Sequence, residues 1–259
     1  MTAPIQVHLV RAAAPDVPAG EAWLGPTEAG VLATLRVPRR ASDWRLGRWA
    51  AKRAVAAALA LEHLPPERIE VLAAPGGAPV ARIPSEPWKG PVSLSLSHSG
   101  GVAFAAAAAA DLELGCDVET IETRSDAFVA DYFTEAERTW IRGGGSLRHV
   151  RANLMWSAKE SALKALREGL RLDTRTVEVR VQSAPWAGPD PSTWQHLAVD
   201  VPGGRAFDGS WRIQANRVWT VVAAERIALA GVCAEPMAGL SWSDRAPFLA
   251  RSELTAPRR

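Results

Sequence analysis

The segment WSAKESALKA at residues 156–165 predicts a helix, because it is rich in helix-forming residues and contains neither Gly nor Pro. It closes a helix-rich stretch from about Ala127 to Leu166, which is interrupted only at Gly143-Gly144-Gly145. Upstream, Asp43 is a suitable N-cap for a second long helix that reaches about Leu61. Long helices are therefore predicted in both the first and the second half of the chain.

Short apolar segments bounded by turn residues predict strands around these helices. The predicted strands are 5–10, 92–96, 102–110, 114–118, 177–181, 197–201, 211–215 and 218–223. Residues 69–73 and 79–83 flank Pro75-Gly76-Gly77 and predict a hairpin. This order predicts an α+β fold with two α+β halves, 1–112 and 113–259, although no repeat is visible by residue identity.

The composition predicts a folded globular protein, since 47% of the residues are hydrophobic. Lys and Arg number 30 against 28 Asp and Glu, so the net charge of +2 is too small to favour binding to nucleic acid or to an anionic membrane. The two cysteines, Cys116 and Cys233, cannot form a framework of several disulfides. No signal peptide or membrane-spanning segment is recognisable, so we expect a cytoplasmic protein.

Two carboxylates at the end of a predicted strand form the first candidate site. Asp117 and Glu119 lie two residues apart, so both side chains point to the same face of the strand. Paired carboxylate oxygens can hold a hard cation such as Mg²⁺. The alternative interpretation is an ordinary solvated strand end.

Charged residues at helical spacing occur on both predicted long helices. Glu160 and Lys164 lie one turn apart on the second helix, where a surface salt bridge would stabilise the helix by about 0.2–0.5 kcal/mol without any function. On the first helix, Arg45, Arg48 and Lys52 recur at three- and four-residue spacing and share one face. Both helices are therefore candidates for binding charged groups.

The segment Ser95–Gly101, SLSHSGG, places hydroxyls and an imidazole at a strand end before two glycines. Exposed N–H groups and small hydroxyls in such a turn can bind a phosphate. The alternative is a capped turn with a structural histidine. A Ser/His hydrolase is disfavoured, because the adjacent residues Ser97 and His98 point to opposite faces of a strand.

Taken together and in this order, these motifs resemble the 4′-phosphopantetheinyl transferase superfamily of the surfactin-synthetase type. The matching motifs are Ser-His-Ser-Gly at 97–100, Gly-x-Asp-x-Glu at 115–119 and Trp-x-x-Lys-Glu-x-x-x-Lys-Ala at 156–165. Residues 43–52 and the segment Phe-Thr-Glu-Ala-Glu at 133–137 resemble further pieces of the family. The resemblance runs from about residue 39 to residue 170.

The resemblance implies two similar α+β halves arranged as a pseudo-dimer, with the active site and coenzyme A in the cleft between them. The implied reaction moves the phosphopantetheine arm of coenzyme A to a serine of an acyl- or peptidyl-carrier protein and releases adenosine 3′,5′-bisphosphate. It also implies a monomer that uses Mg²⁺, or Mn²⁺ in its place. The alternative is a member of the same superfamily that binds coenzyme A or carrier protein without catalysis.

The resemblance assigns Asp117, Glu119 and Glu160 to the metal ion and the diphosphate that it bridges. Glu160 is then the best candidate for the base that accepts the serine proton, with Glu119 or a metal-bound water as alternatives. Lys164 and Lys159 are assigned to phosphate contacts, Lys164 stabilising the leaving phosphate and Lys159 positioning the substrate.

Four residues are predicted to meet the phosphates on the adenosine side: Arg48, Lys52, Ser97 and His98. One departure from the family lies in the hairpin, where Gly77-Ala78-Pro79 stands in place of the usual Gly-Lys-Pro or Gly-Arg-Pro. One cationic contact to coenzyme A is therefore missing. Arg82, or Arg39 together with Arg40, could compensate for it.

Overall fold

The computed structural model of the chain describes residues 3–84, 90–181 and 193–232. The elements up to residue 112 are β1 (Ile5–Ala13), α1 (Pro26–Thr34), α2 (Pro38–Leu59), β2 (Glu70–Ala73), β3 (Pro79–Arg82), β4 (Ser93–Ser99) and β5 (Val102–Ala108). The elements after it are β6 (Leu114–Thr120), α3 (Asp126–Tyr132), α4 (Glu135–Arg142), α5 (Arg148–Ala165), β7 (Glu178–Val181), β8 (Gln195–Val201), β9 (Arg205–Gln214), β10 (Arg217–Ala223) and β11 (Ile227–Val232). No described helix has the length and apolarity needed to span a membrane. Cys233 lies outside the described residues.

Two larger sheets carry the fold and confirm the α+β class. The first has the strand order β11-β1-β5-β4, and the second has the order β6-β10-β9-β8-β7. Strand β11 pairs in parallel with β1, so a strand from the predicted second half completes the sheet of the first half. The domain boundary at residue 112 stays a prediction. Strand β11 comes after this boundary in the sequence but joins the sheet that lies before it.

Each sheet is covered on one face by a long helix. The α2 side chains pack on Val10 and Ala12 of β1 and on the alanines of β5 that face the same way. The opposite faces of the two sheets pack on each other, and Phe104 meets Trp219 there edge to face, with ring centroids 5.1 Å apart. The molecule therefore has the layers helix, sheet, sheet and helix, which brings the ends of β4 and β6 close together.

The two long helices are fixed by matching buried ion pairs. Lys52 of α2 lies 2.5 Å from Glu28 of α1, and Lys159 of α5 lies 2.9 Å from Glu137 of α4, measured from Nζ to the nearer carboxylate oxygen. All four side chains are buried. The sequence around each lysine reads Trp-x-Ala-Lys. The halves therefore do contain a short repeat, which the sequence analysis did not recognise.

The two glutamates also make matching backbone contacts. Glu28 accepts hydrogen bonds from the N–H groups of Gly25 and Val71, at 2.9 and 2.8 Å. Glu137 accepts from those of Thr134 and Val179, at 2.8 Å each. Each glutamate thus joins the start of its own helix to the strand that follows the long helix.

Most predicted elements are confirmed, with shifts at their ends. Helix α2 begins at Pro38 rather than at Asp43, since a proline is well suited to the first turn, where its missing N–H is not needed. Helix α5 begins after Gly143–Gly145, as the sequence indicated. The short helix α1 and the strand β11 were not predicted.

Candidate active site

Strand β6 and helix α5 approach each other so closely that one position requires glycine. A Cβ atom on Gly115 would lie 1.7 Å from the carbonyl oxygen of Ser161 in α5. Because side chains alternate along a strand, Asp117 and Glu119 face α5 as Gly115 does. The contacts of Asp117 with Lys164 and of Glu119 with Trp156, both on α5, confirm the predicted shared face.

Asp117 is the centre of the candidate site. Its carboxylate is buried, and its Oδ1 accepts hydrogen bonds from Nζ of Lys164 and from Oγ of Ser97, both at 2.6 Å. The other oxygen, Oδ2, is buried without a hydrogen-bond partner among the described residues. A buried carboxylate oxygen left unpaired is costly, and a hard cation is the kind of ligand that would satisfy it.

Glu119 is half-buried beside Asp117. Its Oε1 accepts from Nε1 of Trp156 at 3.1 Å, and its Oε2 lies 3.3 Å from Nη2 of Arg124. Burial and the charge of Asp117 raise the pKa of Glu119 to about 7, against the opposing effects of Arg124 and the Trp156 hydrogen bond. The cost of holding this carboxylate charged is what a bound cation would reduce.

Glu160 lies half-buried on α5, on the turn before Lys164. Burial raises its pKa, the charge of Lys164 lowers it, and that of Asp117 raises it further. Nevertheless, within residues 3–84, 90–181 and 193–232, no three His, Cys, Asp or Glu side chains lie close enough together to hold a metal ion. Asp117 and Glu119 thus offer donors that suit Mg²⁺, but the predicted set with Glu160 is not assembled.

The position of Lys164 rules out a simple surface salt bridge between Lys164 and Glu160 on α5. Its ammonium group pairs with Asp117 rather than with Glu160, and it also donates to the carbonyl oxygen of Cys116 at 3.3 Å. Burial lowers the pKa of Lys164, but the charge and hydrogen bond of Asp117, together with the effects of Cys116 and Glu160, outweigh burial and raise the pKa. The lysine is therefore held charged beside the buried carboxylate.

The placement of Lys159 and Lys52 corrects the sequence interpretation, which assigned both to phosphate contacts. Each ammonium is buried and paired with the glutamate described above. Lys159 also donates to the carbonyl oxygens of Thr174 and Val177, and Lys52 donates to those of Trp23 and Pro66. Their donors are therefore used inside the protein, where they join each helix to neighbouring loops.

A cavity of about 390 Å³ lies between the start of α2 and the end of β4. Three arginines, Arg39, Arg40 and Arg48, line it together with the imidazole of His98 and one carboxylate, Asp43, which lies 3.9 Å from Nε of Arg39. The Arg48 guanidinium stacks on Trp44 at 4.7 Å from the ring centroid, and its buried Nε has no hydrogen-bond partner among the described residues. This concentration of cationic groups is suited to an anionic ligand.

The structure separates the four residues predicted to meet the adenosine-side phosphates. Arg48 and His98 share the cavity with Arg39 and Arg40, which the sequence analysis considered as compensating residues. Ser97 instead donates to Asp117, and Lys52 is buried elsewhere. Two adjacent residues of β4 therefore lie at different places: His98 lines the cationic cavity, and Ser97 contacts the carboxylate cluster, by which we mean Asp117 and Glu119.

A second cavity, of about 290 Å³, lies between the β2–β3 hairpin and the end of α5. Residues 76–79 form one side, Lys164 and Arg167 line the other, and residues 93–96 of β4 complete it. Because Lys164 also contacts Asp117, this cavity adjoins the carboxylate cluster.

The segment that holds the carboxylate cluster also matches a known family. Residues 113–217 match the family described as the 4′-phosphopantetheinyl transferase superfamily. The matched segment is less than half of the chain and contains Asp117, Glu119, Glu160 and Lys164. The match supports the superfamily that the motifs predicted, while the surfactin-synthetase type stays a prediction. No curated protein matches the sequence.

Several solved structures are similar to part of the chain. The holo-[acyl-carrier-protein] synthase of Helicobacter pylori, in complex with coenzyme A, is 19% identical over 39% of this chain and 97% of that chain, with a TM-score of 0.33. That of Bacillus anthracis, in complex with CoA (3′,5′-ADP), is 23% identical over 40% and 94%, with a TM-score of 0.34. The Thermotoga maritima synthase is 22% identical over 51% and 76%, also with 0.34.

Within the segment that matches the superfamily, Arg124 is a site residue that the sequence analysis missed. It pairs with Glu119 and, at 2.9 Å, with Glu122, and its Nε donates to Oδ1 of Asn153 at 2.8 Å. Its guanidinium carbon lies 4.8 Å from the centroid of the Phe128 ring. Three of its partners lie within five residues along the chain, but the sequence does not show that the turn after β6 directs the arginine back to Glu119 and across to Asn153.

Proposed function

We propose that the protein transfers the 4′-phosphopantetheine arm of coenzyme A to a serine of an acyl- or peptidyl-carrier protein and releases adenosine 3′,5′-bisphosphate. The observation that carries this proposal is the buried Asp117 carboxylate, paired with Lys164 and Ser97 inside the segment that matches the superfamily. Its Oδ2, which has no hydrogen-bond partner among the described residues, gives a cation a place to bind. The proposed protein is a cytoplasmic monomer of the surfactin-synthetase type, without a nucleic-acid or membrane partner.

The proposed architecture is a pseudo-dimer of two similar halves with the active site in the cleft between them. The matching ion pairs of Lys52 and Lys159 support it, because they show that both long helices are held by the same device. In this proposal Lys52 and Lys159 position α2 and α5 and do not touch coenzyme A.

The cofactor proposed for this site is Mg²⁺, or Mn²⁺ in its place, held by Asp117, Glu119 and Glu160. Oδ2 of Asp117 and the oxygens of Glu119 are suitable hard donors. A bound divalent cation would neutralise charge on the diphosphate of coenzyme A. Glu119 would then exchange part of its contact with Arg124 for the cation.

The transfer forms a bond between the serine oxygen and the phosphorus that bears the pantetheine arm, and it breaks the bond from that phosphorus to adenosine bisphosphate. Glu160 is proposed to accept the serine proton, since burial raises its pKa and makes the carboxylate a better base. Glu119 is the alternative base. Lys164, held charged by Asp117, is proposed to stabilise the leaving phosphate.

The nucleotide end of coenzyme A is proposed to occupy the cationic cavity of α2 and β4. Arg48 and His98 are the proposed phosphate ligands, and Ser97 would join them only by turning its hydroxyl away from Asp117. The Nε of Arg48, left without a partner within the described ranges, supports this role, because a phosphate oxygen would complete its hydrogen bonding.

Mass spectrometry of a panel of apo-carrier proteins tests the proposal directly. After incubation with this protein, coenzyme A and Mg²⁺, at least one carrier should gain the mass of the phosphopantetheine arm. The Asp117→Asn variant keeps the size of the side chain but removes its charge, so it should not support this gain. Chelation of the divalent cation should have the same effect as the substitution.

A second candidate is a non-catalytic protein that binds coenzyme A, because the arginines Arg39, Arg40 and Arg48 line a cavity suited to phosphate groups without the carboxylates taking part. It predicts a calorimetric binding signal for coenzyme A without any mass gain on the carriers. That pair of results would overturn the transferase proposal.

A further inference from the structure

The cavity of about 290 Å³ beside the carboxylate cluster has an uneven charge distribution. The hairpin side consists of Gly76, Gly77, Ala78 and Pro79, so it brings no charged side chain. The side formed by the end of α5 carries two cations, Lys164 and Arg167. Among the described residues that line this cavity, positive charge therefore comes only from the second half of the chain.

The two cations of this cavity differ in whether their side chains already have hydrogen-bond partners. Lys164 is already committed to Asp117 and to a backbone carbonyl. The Arg167 side chain is exposed and makes no hydrogen bond or ion pair within the part of the chain that the structure describes. Its five N–H donors are therefore available to a ligand, and a guanidinium group binds phosphate oxygens in a bidentate manner.

The backbone at Arg167 offers a second observation. Arg167 has a φ of +59°, a left-handed conformation in which glycine is the usual residue at the end of a helix. The N–H of Arg167 donates to the carbonyl of Lys164, and that of Glu168 donates to the carbonyl of Leu163, both at 3.1 Å. Together these bonds close a Schellman-type turn, so the turn itself dictates the unfavourable conformation.

Helix α2 ends in the same turn. Ala60 has a φ of +54°, and the N–H groups of Ala60 and Leu61 donate to the carbonyls of Ala57 and Ala56, at 3.3 and 2.8 Å. The two halves therefore share the backbone of the turn and differ in the side chain that it carries. At the end of α5, that side chain is long and cationic and lines a cavity.

We propose that Arg167 binds a phosphate group of coenzyme A. Unlike Lys164, the other cation of this cavity, Arg167 makes no contact with Asp117. The inference rests on the proposed function and names a further substrate-binding residue for it. Arg82 and the pair Arg39 and Arg40 were the compensating residues considered from the sequence. Arg167 differs from them because it lies on the second half and directly lines the cavity opposite Ala78.

The Arg167→Gly variant separates binding from folding. Glycine adopts the left-handed conformation without steric strain, so the melting temperature of this variant should not fall. Loss of a charge-assisted contact should raise the Kd for coenzyme A about tenfold or more in calorimetry. The matched control is Ala60→Gly, which relaxes the equivalent turn of α2 and should leave the Kd unchanged.

A rescue experiment makes the assignment specific to charge. Ala78→Lys, added to Arg167→Gly, places a cation on the opposite wall of the same cavity and should restore most of the affinity. An unchanged Kd for coenzyme A in Arg167→Gly would overturn the assignment, even if the wild type transfers the arm. Conversely, binding that depends on Arg167 without any transfer to a carrier would leave this inference standing and overturn only the proposed function.

Discussion

Helices α2 and α5 are anchored by the same buried device, yet they carry opposite charges at the next position along the chain. The anchoring residue is Lys52 in α2 and Lys159 in α5, and it is followed by Arg53 in the first helix and by Glu160 in the second. Because the anchor lies under the helix, the neighbouring position can change without disturbing it. The buried anchors and the charged residues of the candidate site can therefore vary separately.

The strands beneath the two helices differ in the same way. The β1 residues that face α2 are Val10 and Ala12, whereas the β6 residues that face α5 are Asp117 and Glu119. In the described part of the chain, only the second of these two helix–strand contacts therefore offers carboxylates to a cation. The comparison predicts that substitutions at the ligand-facing positions of α2 alter binding and that those where β6 meets α5 alter turnover, whereas Arg167, beyond the end of α5, acts on binding.

The largest expected effect tests whether the two anchors are equivalent. Lys159→Met and Lys52→Met each leave a buried glutamate without its partner, which should lower the free energy of unfolding by about 3–5 kcal/mol in urea denaturation. Combining Lys159→Met with Glu137→Gln should recover part of this loss. A loss below about 1 kcal/mol in either half would show that its ion pair is not an anchor.

A second prediction concerns the two positions that follow the anchors. Glu160→Gln keeps the size of the side chain and should lower kcat by about 100-fold or more while leaving the melting temperature within a few degrees. The control is Arg53→Gln, the equivalent change on α2, which should leave kcat unaltered. Near wild-type turnover in Glu160→Gln would remove Glu160 from the proposed chemistry.

A smaller effect is expected from the cationic cavity. Arg48→Ala should raise the KM for coenzyme A about tenfold with little change in kcat, because a phosphate contact of this kind is equally strong in the ground and transition states. Arg45→Ala serves as the control, since Arg45 is occupied by the carbonyls of Pro18 and Gly20. A fall in kcat without a rise in KM would contradict the division of roles between the halves.

Local sequence patterns accounted for much of the fold. The alternation of side chains along a strand placed Asp117 and Glu119 on one face, and the structure confirms this. The segment Pro75-Gly76-Gly77 predicted the turn of the hairpin, and Gly77 there has a φ of +86°. These features depend on residues a few positions apart, so a linear pattern is enough to predict them.

The anchors and the repeat were harder to predict. Lys52 and Arg48 lie at helical spacing, which led us to assign both to the ligand, but Lys52 is buried against Glu28 from the unpredicted helix α1. The Trp-x-Ala-Lys repeat is too short to stand out by identity alone. The repeat can be recognised only from the structure, in which each lysine pairs with a buried glutamate.

The sequence by itself determined the α+β order of elements, the shared face of the two β6 carboxylates and the motifs that predicted the superfamily. Tertiary structure alone decided which partner each charged side chain takes: Lys164 pairs with Asp117 rather than Glu160, and Lys159 with Glu137. The physical reason is that helical or strand spacing fixes only the direction of a side chain. Its partner depends on burial and on segments that lie far away along the chain.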